Sequence, residues 1–300
     1  MSTNVARITR NSLTEVTRHQ LDIWARETQL SAEEVLCRLQ NGMRDKSREW
    51  AGTLIENGAF RRINWDLIRL PIRKLRWNPG QEISRLSFTN GEMRDNPEDF
   101  LFSIPFPNLT HLACPGLQLK RIDLYGKSQL KILDVAGNRL DGLPSTPMPD
   151  MRELEVSFNE FKSLNLRLYP NLRCLECDVS DLDELDLSPL PRLGTLCCST
   201  NNLIHLDLSA SPVLTGLHCS VNHLTEIDLS HSRRLQHLDV TENRIRELSI
   251  HRNSSLESLS CGGNPIRHLE IAHLRYLSVA TVSDHTDVSC RSDQVLEWWP

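Results

Sequence analysis

Leu193-Gly194-Thr195-Leu196-Cys197-Cys198-Ser199-Thr200-Asn201-Asn202-Leu203-Ile204-His205-Leu206-Asp207-Leu208-Ser209 is followed, 21 residues on, by Leu214-Thr215-Gly216-Leu217-His218-Cys219-Ser220-Val221-Asn222-His223-Leu224-Thr225-Glu226-Ile227-Asp228-Leu229-Ser230. Both stretches carry Leu-x-x-Leu-x-Cys-x-x-Asn-x-Leu and close on an aliphatic residue followed by Asp-Leu-Ser. The wider pattern, Leu-x-x-Leu-x-(Leu/Val/Cys)-x-x-Asn-x-Leu-x-x-Leu-x-Leu, starts at Leu109, Leu130, Met151, Leu172, Leu193, Leu214, Leu235, Leu256 and Leu274. Seven intervals of 21 residues and a last one of 18 are not what chance placement of leucines gives. Each half of the repeat alternates like a short strand. One coil of this kind cannot bury its apolar side alone, so neighbouring coils must stack. The fold expected is an α+β repeat solenoid, a horseshoe or arc with a parallel sheet on its concave face and short extended segments on the convex one.

This arrangement resembles the leucine-rich repeats, specifically the 21-residue bacterial class with Leu-Asp-Leu in its second half. The residues that carry the resemblance are Leu185-Asp186-Leu187-Ser188, Leu206-Asp207-Leu208-Ser209 and Ile227-Asp228-Leu229-Ser230. It extends from about Ile83 to Val282, and residues 72–88, with Ile72, Leu75, Trp77, Ile83, Leu86 and Phe88, read as degenerate opening turns. The expected plan is a small α-helical N-terminal domain over 1–70, opening repeats over 71–108, regular repeats over 109–282 and a C-terminal cap over 283–300.

The register assigns many polar residues to the interior. At the ninth position stand Asn138, Asn159, Asn201, Asn222, Asn243 and Asn264, with Leu117 and Ser180 departing. An inward amide both donates and accepts, so it can pair backbone groups that a tight turn leaves open. Asn222→Ala is expected to destabilise the solenoid. At the sixth position stand Cys114, Cys177, Cys198, Cys219 and Cys261, where a thiol acts as a small hydrophobe. A zinc cluster of Cys174, Cys177, Cys197 and Cys198 is the competing reading, but the alternation sends Cys177 and Cys198 inward and Cys174 and Cys197 outward. The nine cysteines follow the repeat rather than a pairing scheme, which fits a reducing compartment.

The ends are written differently. All six tryptophans, at 24, 50, 65, 77, 298 and 299, lie outside the regular repeats. Ser12-Leu13-Thr14-Glu15 and Ser31-Ala32-Glu33-Glu34 read as capping boxes that start helices, the second stopping near Gly42. A third helix is expected from about Asp45 to Glu56, ended by Asn57-Gly58. The closing Val295-Leu296-Glu297-Trp298-Trp299-Pro300 is expected to cover the last coil.

Residues 1–80 hold 14 Lys and Arg against 9 Asp and Glu, whereas residues 81–300 hold 20 against 30. An acidic body lacks the footprint that duplex nucleic acid requires and suits a basic protein surface. The basic head is either a solvated face or a contact site. No run approaches the length of a membrane span, and the opening Met1 to Arg7 lacks the apolar stretch of a secretory signal. The expectation is a monomer without membrane insertion or cofactor, placed in the bacterial cytosol or, for an injected effector, in a host cell.

The fifth position of the repeat points outward and reads Ala113, Asp134, Glu155, Glu176, Cys197, His218, Asp239, Ser260 and Ser278, with Glu153 and Asp178 beside it. Carboxylates about 5 Å apart repel by about 0.8 kcal/mol even in bulk water, so stability alone does not select such a row. The reading preferred is a non-enzymatic site for a basic protein segment at Asp134, Glu153, Glu155, Glu176, Asp178, His218 and Asp239. A merely solvated face and a cation site stay open beside it. Cys197, His218 and Asp239 on successive coils suggest a nucleophile, base and orienting acid, or with His237 a metal set, but coils about 4.8 Å apart exceed hydrogen-bond reach. Cys290 is the other nucleophile to weigh, by resemblance to the leucine-rich-repeat ubiquitin-ligase effectors of bacteria. There an acid follows the cysteine by two residues, whereas here Ser292 holds that place, Asp293 comes one later, and the Leu-Pro repeats of that family are missing. No P-loop, G-x-G-x-x-G, H-E-x-x-H or G-x-S-x-G motif occurs.

Overall fold

A computed structural model describes residues 11, 13–41, 54–56, 59–66, 83–89, 106 and 108–299, which fall in two compact units, Met1–Asn138 and Arg139–Pro300. Trp50, Ile72, Leu75 and Trp77 lie outside the described residues. Among the described residues no helix is long and apolar enough to cross a membrane.

The first unit opens with α1 (Glu15–Thr28) and α2 (Ala32–Asn41). Glu15 is already helical and Thr14 is the cap, its hydroxyl accepting from Thr17 N at 3.3 Å, so the box read from Ser12 starts two residues early. The second box forms as read. Ser31 Oγ accepts from Glu34 N at 3.2 Å, and Glu34 Oε2 accepts from Ser31 N at 2.8 Å. Leu21, Trp24, Val35 and Leu39 are buried, with the Trp24 ring centred 6.0 Å from that of Phe60.

The head is not wholly helical. β1 (Leu54–Glu56) and β2 (Ala59–Asp66) pair antiparallel, and β1 occupies the end of the segment expected as a third helix; residues 45–53 lie outside the described residues. Asn57-Gly58 therefore stands between two strands, where that dipeptide is a hairpin signal rather than a helix stop. β2 continues in parallel with β3 (Arg85–Thr89), β3 with β4 (His111–Ala113) and β4 with β5 (Ile132–Asp134). Ile83, Leu86 and Phe88 are buried, as an opening turn requires.

The second unit is the regular solenoid. Its strands are β6 (Glu153–Glu155), β7 (Cys174–Glu176), β8 (Thr195–Cys197), β9 (Gly216–His218), β10 (His237–Asp239), β11 (Ser258–Ser260), β12 (His268–Glu270), β13 (Val279–Ser283), β14 (Asp287–Ser289) and β15 (Val295–Trp299). β6 to β11 pair in parallel in chain order and continue through β13 to β15, while β12 and β14 form a separate parallel pair. Equivalent repeat positions stand opposite one another, as Leu175, Leu196, Leu217 and Leu238 do. The last coil departs from the sequence reading. Ser258 faces Val279 and Ser260 faces Thr281, so this coil starts at Leu277, a full 21 residues after Leu256, and Ser278 is not in the fifth-position column. The tail covers the last coil by adding β15 to the sheet. Trp298 stays 55% exposed, and Trp299 crosses Gly262 so closely that any Cβ there would collide with it.

The asparagines do what their position requires. Asn222 Nδ2 donates to the carbonyls of Cys198, Cys219 and Ser220 at 3.0–3.2 Å, and its Oδ1 accepts from Leu203 N at 3.0 Å. Each amide thus ties its own turn to the coil before. Where the preceding coil lacks the asparagine, the next one works harder. Asn138 accepts from both Leu117 N and Leu119 N, and Asn201 from both Ser180 N and Leu182 N. In those two coils the tenth residue, Gln118 or Asp181, turns left-handed at φ 58° or 55°.

The eighth position is left-handed in every coil from Leu109 to Leu256: Gly116, Gly137, Phe158, Val179, Thr200, Val221, Glu242 and Gly263 have φ between 52° and 67°. The cause is the ladder itself. Phe158, Val179, Thr200 and Val221 each donate N–H to the seventh-position carbonyl of the next coil at 2.8–2.9 Å while the chain leaves the sheet. An L side chain in this region costs about 1–2 kcal/mol, and β-branched residues are outliers there.

Candidate functional site

The third, fifth and seventh positions lie on the outward side of the second unit's sheet, most of them half-buried and Ser157, Gly216 and Thr241 buried. On β6 and β7, Glu155 stands opposite Glu176 and Glu153 opposite Cys174. Asp178 follows β7. Glu155 Oε1 accepts from Ser157 N at 2.9 Å, and Asp178 Oδ1 from Ser199 N at 2.6 Å. Among the described residues no Lys or Arg forms an ion pair with Glu153, Glu155, Glu176 or Asp178. Burial, then the hydrogen bond and charge of Glu176, push Glu155 up to about 7, against the opposing pull of the Ser157 hydroxyl and N–H. Asp178 is also raised, chiefly by burial. The half-buried Glu155 carboxyl, with Glu176 beside it, keeps its proton into the neutral range.

Glu155 binds its proton more tightly folded, near 7, than unfolded, near its ordinary 4.5. Its contribution is therefore complete below pH 4.5 and lost as pH rises through 7. The melting temperature of the native chain relative to a Glu155→Gln variant should fall between pH 5 and pH 8, and a constant difference would contradict the raised Glu155 carboxyl.

The rest of the expected site divides. His218 is half-buried on β9 and draws Asp178 towards its charged form. Asp239 on β10 is half-buried and accepts from Thr241 N at 3.0 Å, the turn-capping bond that Glu155 makes with Ser157. Asp134, in the first unit, is only 4% exposed and accepts from Ala136 N at 3.2 Å. It is a buried cap and not a contact on the open face.

Cys197, His218 and Asp239 do share the expected register, but no hydrogen bond joins them. Burial, then the Asp178 charge, push the Cys197 thiol up to about 12, which leaves it protonated and a poor nucleophile at neutral pH. Cys290 is exposed just beyond β14, and Asp293 pairs with Arg291 at 2.9 Å. Among the described residues no group of three His, Cys, Asp or Glu side chains is placed to hold a metal ion. Cys114, Cys177, Cys198, Cys219 and Cys261 are all interior, with thiols raised by burial. In native protein, maleimide should label Cys290 within minutes and leave those five untouched until denaturant is added. Rapid native labelling at any of the five, read by peptide mass, would contradict the register.

The repeated Asp of the second half is a turn cap too. Asp186, Asp207 and Asp228 accept from Ser188, Ser209 and Ser230 N at 2.8–2.9 Å, and the hydroxyl and N–H of these serines lower their carboxyls, the hydroxyl first at Asp186 and the N–H first at the other two. A groove beside β12 and β14 is lined in part by His251, His268, His273 and Asp287, with His268 Nδ1 3.3 Å from Asp287 Oδ2. The histidines are spread over two coils without a common pattern, so no spacing reveals it.

No family model matches the chain, and no curated protein does. Among solved structures it is similar to the functional domain of InlJ from Listeria monocytogenes, described as including a cysteine ladder, with a TM-score of 0.63 and 21% identity over 84% of this chain and 55% of that one. It is also similar to YopM, a leucine-rich effector protein from Yersinia pestis, with a TM-score of 0.60 and 18% identity over 96% and 86%. A leucine-rich-repeat protein of Leptospira interrogans gives 0.53 and 15% over 72% and 71%. The chain thus spans little more than half of the InlJ domain. These likenesses identify a leucine-rich-repeat fold of the bacterial kind.

Proposed function

We propose that this chain is a non-enzymatic binding module whose second unit holds a basic segment of a protein partner against the outward face of β6 to β9. The observation that carries the reading is the pair Glu155 and Glu176, with Glu153 and Asp178 beside it and no Lys or Arg of the unit in an ion pair with them. A lysine or arginine brought to this face meets the Glu155 carboxyl, which keeps its proton for want of a cation, with Glu176 beside it. Asp134 is buried and Asp239 stands on β10, one strand beyond this face, which narrows the site to its centre.

The module works in the cytosol, bacterial or, as a delivered effector, that of a host. Free thiols along the repeat suit such a compartment.

The test is titration of an oligolysine peptide into the folded chain at low salt. Binding should weaken as salt rises. Replacing Glu155 and Glu176 by Lys should lower affinity at least tenfold, about 1.4 kcal/mol or more, with the thermal melt retained. Equal affinity in the charge-reversed protein would remove the acidic site.

A further inference from the structure

The eighth-position column holds side chains where the backbone favours none. Gly116, Gly137 and Gly263 show that the turn accepts glycine, yet the coils between carry Phe158, Val179, Thr200, Val221 and Glu242 at φ 52–57°. These residues do not serve the core. Phe158 is 59% exposed, Val179 38% and Val221 42%, and they stand in register along the margin of the acidic face, Val179 directly after Asp178. Strain retained on exposed apolar side chains, where glycine is accommodated in the same fold, needs a reason outside the fold.

We infer that Phe158, Val179 and Val221 form the apolar half of a docking strip whose occupant is a basic amphipathic helix of a partner protein. The inference rests on the acidic face proposed above, which supplies the charged half. Spacing selects the helix. Neighbouring coils are about 4.8 Å apart. A helix laid along the column advances about 5.4 Å per turn and offers one side chain per coil, whereas an extended strand returns to the same face only every 6.6 Å or so and drifts out of step. Its apolar stripe covers Phe158, Val179 and Val221 while lysines or arginines one step round the helix reach Glu155, Glu176 and Asp178.

Two probes separate this from the reading it rests on: an oligolysine peptide, and a helical Lys/Leu peptide of about 14 residues, long enough for four turns. Each is titrated into the native chain and into a variant with Phe158, Val179 and Val221 replaced by glycine. The expected result is that the helical peptide binds the native chain at least tenfold more tightly than oligolysine and that the glycine variant loses this difference. The variant should melt no lower than the native chain, since glycine relieves the left-handed strain. If it does not fold, Val179→Asn with Val221→Asn, residues that tolerate this backbone, should give the same loss. Equal binding of both peptides, unaffected by glycine, overturns the helix and leaves the acidic face standing. Failure of both peptides to bind overturns both. Self-association of the native chain that the glycine variant loses, read by sedimentation, assigns the strip to a second copy and overturns the inference as well.

Discussion

Asn201→Ala should abolish cooperative folding of the second unit or lower its melting temperature by roughly 10 °C or more, and it should do more damage than Asn222→Ala. Asn201 makes five hydrogen bonds with its side chain: it accepts from Ser180 N and Leu182 N and donates to the carbonyls of Cys177, Cys198 and Ser199. Asn222 makes four. The difference arises because Ser180 takes the place of an asparagine in the coil before, so Asn201 serves that coil's turn twice. Ser180 compensates in part, its hydroxyl donating to the carbonyls of Val156 and Asp178. A buried backbone group left unpaired costs about 1–3 kcal/mol, so the loss at Asn201 approaches the whole stability of an ordinary domain. Equal melting of the two variants would show that the extra bond carries nothing.

Excision of one whole coil should be tolerated where excision of half a coil is not. Removing Leu214–Arg234 joins Val213 to Leu235 and keeps every later residue in phase. Asn243 then stands where Asn222 stood, able to take up Leu203 N and the Cys198 carbonyl. Removing only Leu214–His223 deletes β9 and Asn222 and leaves Leu224, Ile227 and Leu229 without a strand to complete their turn. In a stack whose stability is a sum of neighbour contacts, the first deletion should lower the melting temperature by a few degrees and keep a sharp transition. The second should leave none. Comparable melts for both would mean that the coil is not the unit of folding.

The phase of the repeat was legible because the interior demands so little variety: Leu, Ile, Val, Met, Cys and Asn fill most of the recurrent inward positions, and each recurs at a fixed place. The same demand misled at the last coil. Ala280 stands where the fourth position ordinarily has Leu, and Leu274 offered a false start at the place equivalent to Asn253, since both close the turn that precedes a strand. In the head, a helix-like pattern up to Glu56 overlaps β1, and Asn57-Gly58 is the sequence sign that a strand rather than a helix ends there. At the candidate site, Glu155 and Glu176 could be set side by side from spacing alone. That Asp134 and Asp239 cap N–H groups two residues on could not, because the alternation says which side chains face outward and not which backbone donors they meet there. The left-handed column was hidden for a like reason. Its ends are glycines, but Phe158, Val179 and Val221 are poor formers of that conformation, and only the ladder bonds that carry each coil past its strand impose it.

The claim that the Glu155 and Glu176 pair receives a cation is tested most directly by the proton it must give up. With Glu155 near 7, a basic peptide binding at pH 7 should displace about half a proton per site, measured as the dependence of the calorimetric binding heat on the ionisation enthalpy of the buffer. The release should vanish in Glu155→Gln. Heats that do not depend on buffer, or a release that persists in that variant, would contradict the site.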